Sequence, residues 1–546
     1  MTEKTLAEAA AALEGGDNDL AFQLAKAVLR VAPATVAALR LAGLAAMRKG
    51  VWPVALRYFD QALALVPADA ELARLRDACR DKAGDLAVPT VKQEAAPPPI
   101  RLVNLLLAQE KLPQAEKLLR QMLVLQPEDS SAHSSLLFCT NYRMDLTPEQ
   151  IYAEYHRWDE VHGRPRLPKP LAHDNKPEPG RRLKLGYVSP DFRRHAVALF
   201  FEPLLAAHDR VSFEIYLYSE VQKPDHITER LKAQADHWRS TVGLNDAAVA
   251  AMIRADGIDV LVDLAGHTGG NRLLTFARKP APVQFSYLIG AGCTTGLSAI
   301  DGFFADDAMV PPGRENLFSE RVMRLGRVPL AYRPPEGMAE VGPLPALRNG
   351  YVTFGHFGRT VRLNESVVAA WAALLQAVPD ARLMLNAKTF LDEGIRQDFS
   401  QRFATHGIAP ERLSLVYTHP QTATWAAYNQ IDIALDPFPH NAGTTTIEAL
   451  WMGVPVVSMA ARPPLGRFGA SILGALGMGD WVAEDRTGYL GIATRWANDL
   501  EALARIRAGL RPRFEASVLR DAPGLVQAME AGYRQLWREW CASAGA

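Results

Sequence analysis

Cysteine is scarce in this sequence: Cys79, Cys139, Cys293 and Cys541 are spread over 546 residues. No CxxC pair arises and no disulfide framework can be built, so zinc ribbons and stapled secreted scaffolds are excluded and a reducing cytoplasm is expected. An excess of either charge is also lacking. Sixty Lys and Arg balance sixty Asp and Glu, which leaves no bulk positive field to gather a polyanion, and a nucleic-acid partner is not expected. No stretch approaches the roughly 18 apolar residues of a membrane span. The start carries Glu3, Glu8, Glu14 and Asp17 where an export signal would be basic and then apolar, so neither export nor a membrane span is expected. There is no Walker A loop, no His/Cys spacing of a zinc site, and no carboxylate cluster that demands a metal.

What is present is the composition of a folding protein, 48% hydrophobic and 22% charged. The length suggests about three or four folding units. The first is repetitive. Pro33 and Pro67 lie one repeat apart, and Leu39, Gly43, Ala55, Phe59, Ala62 and Pro67 follow the small–large–small–proline spacing of a tetratricopeptide repeat. Gly43 and Ala55 let two helices approach, Phe59 and Ala62 pack into the next pair, and Pro67 stops the helix. Ala9, Ala21 and Pro33 fit more weakly, and Leu106, Ala115 and Pro127 resume the register. These spacings predict repeats over 1–83, a Pro-rich linker over 84–100, and a further repeat unit with a helical connection over 101–180. Plain amphipathic helices of a bundle are the alternative. Helix pairs of this kind offer a concave surface to a protein partner.

From about 181 the pattern becomes β-rich runs alternating with helical stretches. LKLGYVS, FEIYLYS, IDVLVDLAG and VQFSYLI make one series; YVTFGHF, ARLMLNA, RLSLVY, IDIALD and VPVVSM make a second. Apolar runs of this length between helices are what buried parallel strands require. The spacing predicts two Rossmann-like domains, 181–335 and 350–546, joined through a Pro/Gly-rich connection, with a closing helix that packs back on the body. Ligands would bind between them, at the carboxyl ends of the strands.

Four segments carry the residue types that chemistry would need. GYVSPDFRRH ends in His195, just past a strand, a place for an acid–base or phosphate-donating group, although a histidine beside Arg193 and Arg194 taken alone reads first as a surface residue. IDVLVDLAGHTGGNR brings Asp263 and His267 to a glycine-rich loop, either a ligand loop or a tight turn with a satisfied histidine. In IDIALDPFPHNAGTTTIEALWMGVPVV, a strand is followed by His440, Asn441, Gly443, Thr444, Thr445, Thr446 and Glu448. That helix start offers N–H groups, hydroxyls and a positive dipole to a diphosphate, although Thr445 and Glu448 also fit a capping box. TFGHFGRTVRLN supplies Arg359 and Arg362, cations for a diphosphate leaving group or solvated loop charges.

Together these segments resemble the O-GlcNAc transferase and SPINDLY-type family of tetratricopeptide-containing protein glycosyltransferases, in its bacterial branch. The resemblance covers roughly 130–540. It implies an α/β GT-B fold behind an all-α repeat region, and inverting, metal-independent transfer from a nucleotide sugar to Ser or Thr of a protein guided in by the repeats. By resemblance, His195 matches the active-site histidine and His267 a GHT loop. Thr444 and Thr445 match the diphosphate hydroxyls, Glu448 a ribose carboxylate, Arg467 an Arg segment in GRFGAS, and Arg362 a phosphate-binding lysine. Gly443 replaces a histidine that often precedes the threonines. Thr424 replaces a base-stacking histidine, for which Trp425 is the substitute. UDP-GlcNAc is the donor first implied. GDP-fucose, a CMP-activated nonulosonic acid delivered to flagellin, a glycan, lipid or small-molecule acceptor, and a non-catalytic nucleotide-binding adaptor are the alternatives.

Overall fold

The computed structural model describes residues 2–32, 35–83, 99–109, 111–287 and 294–544. Pro33, residues 84–98 of the linker and Cys293 lie outside the described residues. The chain separates into two compact units, 1–96 and 97–546.

The first unit contains the helices Thr2–Glu14, Asn18–Val31, Val36–Arg48, Trp52–Leu65 and Ala70–Ala83. Asp17 starts the second by accepting the Leu20 N–H at 3.0 Å, satisfying a donor that the helix itself cannot. A Cβ at Gly43 would stand 2.6 Å from the Phe59 ring, so the third and fourth helices meet at this distance only because position 43 has no side chain. Leu39, Ala42, Ala55, Phe59 and Ala62 are buried there. Each helix covers the apolar stripe of the next, the way a repeat array builds a core that one hairpin lacks.

The second unit opens with the helices Pro99–Ala108, Leu112–Leu125, Ser130–Thr140 and Pro148–Trp158. The last is set by a capping box between Thr147 and Gln150. Two all-parallel sheets follow. The first contains β1 (Leu183–Ser189), β2 (Phe213–Ser219), β3 (His237–Ser240), β4 (Val260–Asp263), β5 (Val283–Ser286), β6 (Gly302–Ala305) and β7 (Arg321–Arg324), in the order β3-β2-β1-β4-β5-β6-β7. The second contains β8 (Thr353–Phe357), β9 (Arg382–Asn386), β10 (Leu413–Val416), β11 (Ile433–Leu435), β12 (Val456–Met459) and β13 (Val482–Ala483), in the order β10-β9-β8-β11-β12-β13. Strands β3, β6, β7 and β13 are additions to the pattern read from sequence. HWRS and RVMR are largely polar and half exposed, as sheet edges are; GFFA is only four residues and VA only two, too short to show a period.

Strand order reverses beside β1 in the first sheet and beside β8 in the second, so crevices open between β1 and β4 and between β8 and β11, at their carboxyl ends. The closing helix Ala522–Ala544 crosses to the first sheet. Its Leu525, Val526, Met529, Tyr533 and Trp537 share a core with Tyr187, Phe201, Phe285 and Phe304. Among the described residues no helix is long and apolar enough to cross a membrane.

Candidate functional site

A cleft of about 740 Å³ opens over the carboxyl ends of β8, β9 and β10. Phe357, Gly358 and Arg359 after β8 form one wall and Asn386 and Lys388 after β9 another. Tyr417, Thr418 and His419 follow from β10, Thr445 and Glu448 from the helix Thr444–Trp451, and Arg194 from the loop after β1. Such a lining holds cations, hydroxyls and aromatic rings, the groups that a phosphate and a planar base need. Tyr417 and His419 stand 6.1 Å apart. Thr418 is fixed by the Asn386 amide, which donates to its hydroxyl at 2.6 Å and accepts its N–H at 3.1 Å.

The helix Thr444–Trp451 begins at Gly443 with no side-chain cap. The capping box anticipated for Thr445 and Glu448 does not form, because Glu448 turns to the indole of Trp425, which donates to it at 3.0 Å. Burial pushes the Glu448 carboxyl up to about 7, and the indole N–H opposes it. The helix therefore presents an uncapped positive end to the cleft. Thr446 spends its hydroxyl on the Ala442 carbonyl at 3.0 Å, leaving Thr444 and Thr445 as the half-buried hydroxyls.

Behind this helix start lies Arg362, whose Nε is buried without a hydrogen-bond partner. Its charge acts on three neighbours: it adds to the burial that lowers the pKa of His356 and His440, and offsets the burial that raises Asp436 to about 7. Asp436 is itself held by the Ser458 hydroxyl and the Ala442 N–H, both at 2.7 Å. His440 stacks on Tyr142 with ring centroids 4.9 Å apart and 5° between planes, and its Nδ1–H donates to the Asn441 carbonyl at 2.9 Å. Arg359 lies over the Phe138 ring at 5.3 Å.

At the β1/β4 crevice, His195 is the first residue before the helix Ala196–Ala207 and caps it, its Nδ1 accepting the Val197 N–H at 3.3 Å. Asp191 stands 3.6 Å from the same nitrogen. Burial lowers the histidine pKa, Asp191 opposes the shift and Arg193 adds to it.

Several residues singled out in the sequence are occupied elsewhere. His267 has both ring nitrogens engaged, Nε2 with the Thr295 carbonyl at 2.7 Å and Nδ1 with Ser134 at 3.0 Å. A carbonyl only accepts, so Nε2 carries the proton and Nδ1 receives the serine hydroxyl. Asp263 is fully buried and accepts the N–H groups of Ala265 and Gly266 at 3.1 and 2.8 Å, which shapes the loop. Asn441 is fully buried and bonds the Pro437 carbonyl at 3.0 Å. Arg467 donates to the Ala308 carbonyl at 2.6 Å. Trp425 is buried behind Glu448 and offers no face to a base; Tyr417 and His419 are the rings on the cleft wall. Sequence reasoning passed over both of these, and over His356, Asn386 and Thr418, because nothing in their spacing marks them out. Among the described residues no three His, Cys, Asp or Glu side chains are placed to share a metal ion.

Two parallel sheets whose loops meet a cleft, with an uncapped helix start and an arginine at the switch point of the second, define the GT-B class. The chain belongs to glycosyl transferase family 41, whose profile it matches over residues 165–328 and 345–529. It is 35% identical over 429 residues to a tomato (Solanum lycopersicum) protein named probable UDP-N-acetylglucosamine–peptide N-acetylglucosaminyltransferase SPINDLY, covering 77% of this chain and 45% of that one. A Caenorhabditis elegans UDP-N-acetylglucosamine–peptide N-acetylglucosaminyltransferase is 22% identical over 528 residues, 75% of this chain and 45% of that one. The chain thus spans about half the length of these curated relatives. Among solved structures, a mutant O-GlcNAc transferase of Thermobaculum terrenum is similar over 100% of this chain and 98% of its own, with 34% identity and a TM-score of 0.78.

Proposed function

We propose that this chain is an inverting protein O-glycosyltransferase that moves a sugar from a nucleoside diphosphate sugar to a Ser or Thr hydroxyl of a protein acceptor. The observation that carries the reading is the pairing of an uncapped helix start at Thr444 with the partnerless Nε of Arg362 at the β8/β11 crevice. Relatives named for UDP-GlcNAc and for peptide acceptors support that donor and that acceptor class.

The acceptor oxygen attacks the anomeric carbon and gives up its hydroxyl proton to a non-bridging oxygen of the donor's diphosphate, while the bond to the diphosphate breaks and the diphosphate leaves with the electron pair. Charge grows on the leaving phosphate, where Arg362, Arg359 and the helix dipole stand ready without reorganising. The base stacks against Tyr417 or His419, and Glu448 accepts ribose hydroxyls. His195 has given Nδ1 to the Val197 N–H, so its Nε2 carries the proton and acts as a donor to the acceptor oxygen or the phosphate. His267 and Asp263 hold the β4 loop in place and touch no reacting atom. The buried free thiols Cys79, Cys139 and Cys541 suit a reducing cytoplasm.

Calorimetric titration with UDP, GDP and CMP and their sugar conjugates, with hydrolysis followed in parallel, tests the reading. One nucleotide class should bind and its conjugate should be slowly hydrolysed. Binding without hydrolysis would overturn it in favour of the nucleotide-binding adaptor, and binding of none to the folded chain would overturn both. His195→Ala should lose about two to three orders of magnitude in transfer while nucleotide affinity falls far less; full activity would remove His195 from the mechanism. The repeats are proposed to recruit the protein acceptor, flagellin among the candidates. A chain lacking residues 1–96 should keep donor hydrolysis at the full-length rate and lose about tenfold or more in kcat/KM toward a protein, as expected when remote binding energy is removed.

A further inference from the structure

His356, on β8 one residue before the strand ends, is 5% exposed, and no role assigned above uses it. Its Nδ1 lies 3.1 Å from the Leu435 carbonyl. That oxygen only accepts, so Nδ1 keeps its proton and the neutral ring must leave Nε2 as a bare lone pair. This Nε2 is buried and has no hydrogen-bond partner. It stands 2.9 Å from the point where a Cβ would sit at Gly358, and the Thr445 hydroxyl stands 3.7 Å from that same point. Gly358 and Thr445 both line the cleft. The missing side chain at 358 therefore leaves a small gap onto which an imidazole nitrogen and a threonine hydroxyl both look, next to the uncapped helix start.

A diphosphate diester has oxygens that only accept. It would meet a lone pair in this gap unless the lone pair is first protonated, and the bond to Leu435 prevents the ring from solving the conflict by exchanging tautomers. We propose that His356 is a donor-binding residue: its Nε2 takes a proton from solvent as the diphosphate arrives and donates it to a phosphate oxygen beside Thr445. This rests on the glycosyltransferase reading above.

In the ligand-free protein, burial first and Arg362 second hold the His356 pKa down at about 3, with the Leu435 bond opposing. An arriving dianion reverses the sign of the local field. The charged group that acts on the ring is Arg362 from the turn after β8; Asp436 follows Leu435, whose carbonyl the ring meets, and Arg359 and Glu448 line the cleft with Gly358. The helix Glu365–Ala377 contributes only Trp371, 5.6 Å away. Asp436 and Glu448 titrate near 7, so the decisive comparison is between variants at one pH.

UDP-GlcNAc and GDP-fucose, whose diphosphates do not ionise between about pH 5.5 and 8 as diesters, are titrated into the full chain in two buffers of different ionisation enthalpy. Wild type should take up at least about half a proton more per bound donor at pH 6 than either variant. His356→Asn keeps a group near Nδ1 and loses Nε2, and should bind about tenfold more weakly. His356→Gln places an amide N–H near Nε2, and should bind within about threefold of wild type with the extra proton uptake gone. The Gln variant decides alone if the Asn variant does not fold. Equal proton uptake in wild type and variants overturns the role of His356 and leaves the glycosyltransferase standing. Failure of both donors to bind the folded wild type brings down both.

Discussion

Arg362→Ala should lower kcat/KM for glycosyl transfer by about three orders of magnitude, roughly 4 kcal/mol of transition-state stabilisation. The size follows from where the charge stands. The Arg362 Nε is buried without a partner and the helix Thr444–Trp451 has no side-chain cap, so both are preorganised for an anion in a site with little water to screen them. Arg362→Lys should recover part of the loss, because it restores a point charge and not the planar fork. Little folding energy should be lost with the alanine, since no hydrogen bond of Nε is broken.

A pH condition attaches to that last statement. Asp436 has its pKa raised to about 7 by burial, with Arg362 pulling the other way. A carboxyl whose folded pKa lies above its unfolded value of about 3.9 binds the proton more readily when folded. Its contribution therefore declines as pH rises from about 4 to 7. Without Arg362 the folded pKa climbs further and the decline continues to higher pH. Thermal midpoints of wild type and Arg362→Ala should agree at pH 6 and separate above pH 7. A variant that is unfolded at pH 6, or fully active at any pH, would show that Arg362 is structural or idle.

The gross architecture was legible because it depends on patterns that survive in one dimension. Apolar runs such as VLVD mark buried parallel strands, and proline-punctuated helix pairs mark the repeats. The edge strands β3 and β7 were not legible, since HWRS and RVMR carry side chains that solvent tolerates. In the site, Arg359, Thr445 and Glu448 were visible as residue types after strands and do line the cleft. Partner choice was not visible. Nothing in the sequence says that Glu448 will take the Trp425 indole instead of capping its own helix, or that His267 will spend both nitrogens on Ser134 and Thr295. These partners lie 23, 133 and 28 residues away. His356 was overlooked for a related reason: its meaning comes from an atom absent at Gly358 and from a carbonyl on another strand.

Trp537→Ala should destabilise the first lobe by about 4 kcal/mol, the largest stability effect of a single change anticipated for this chain. The ring is fully buried. Its Nε1–H donates to the Glu178 carbonyl at 3.2 Å, Arg181 lies over its face at 4.8 Å, and Trp540 stacks beside it at 4.8 Å. Truncation removes the packed volume and leaves the Glu178 carbonyl without its donor, and both terms act in the same direction. The closing helix contributes six further buried side chains to the same core, among them Tyr533 and Leu525, so weakening one anchor loosens the link between the end of the chain and the first sheet. For a lobe of this size the expected fall in midpoint is about 8–16 °C. The residues proposed to bind nucleotide follow strands of the second sheet, whose core is distinct from the one Trp537 joins and meets the helix Ala196–Ala207 through Phe200. Donor binding by Trp537→Ala should therefore persist at temperatures where transfer, proposed to need His195 after β1, has already been lost. Loss of both functions at one temperature would mean that the two lobes unfold as a single cooperative unit.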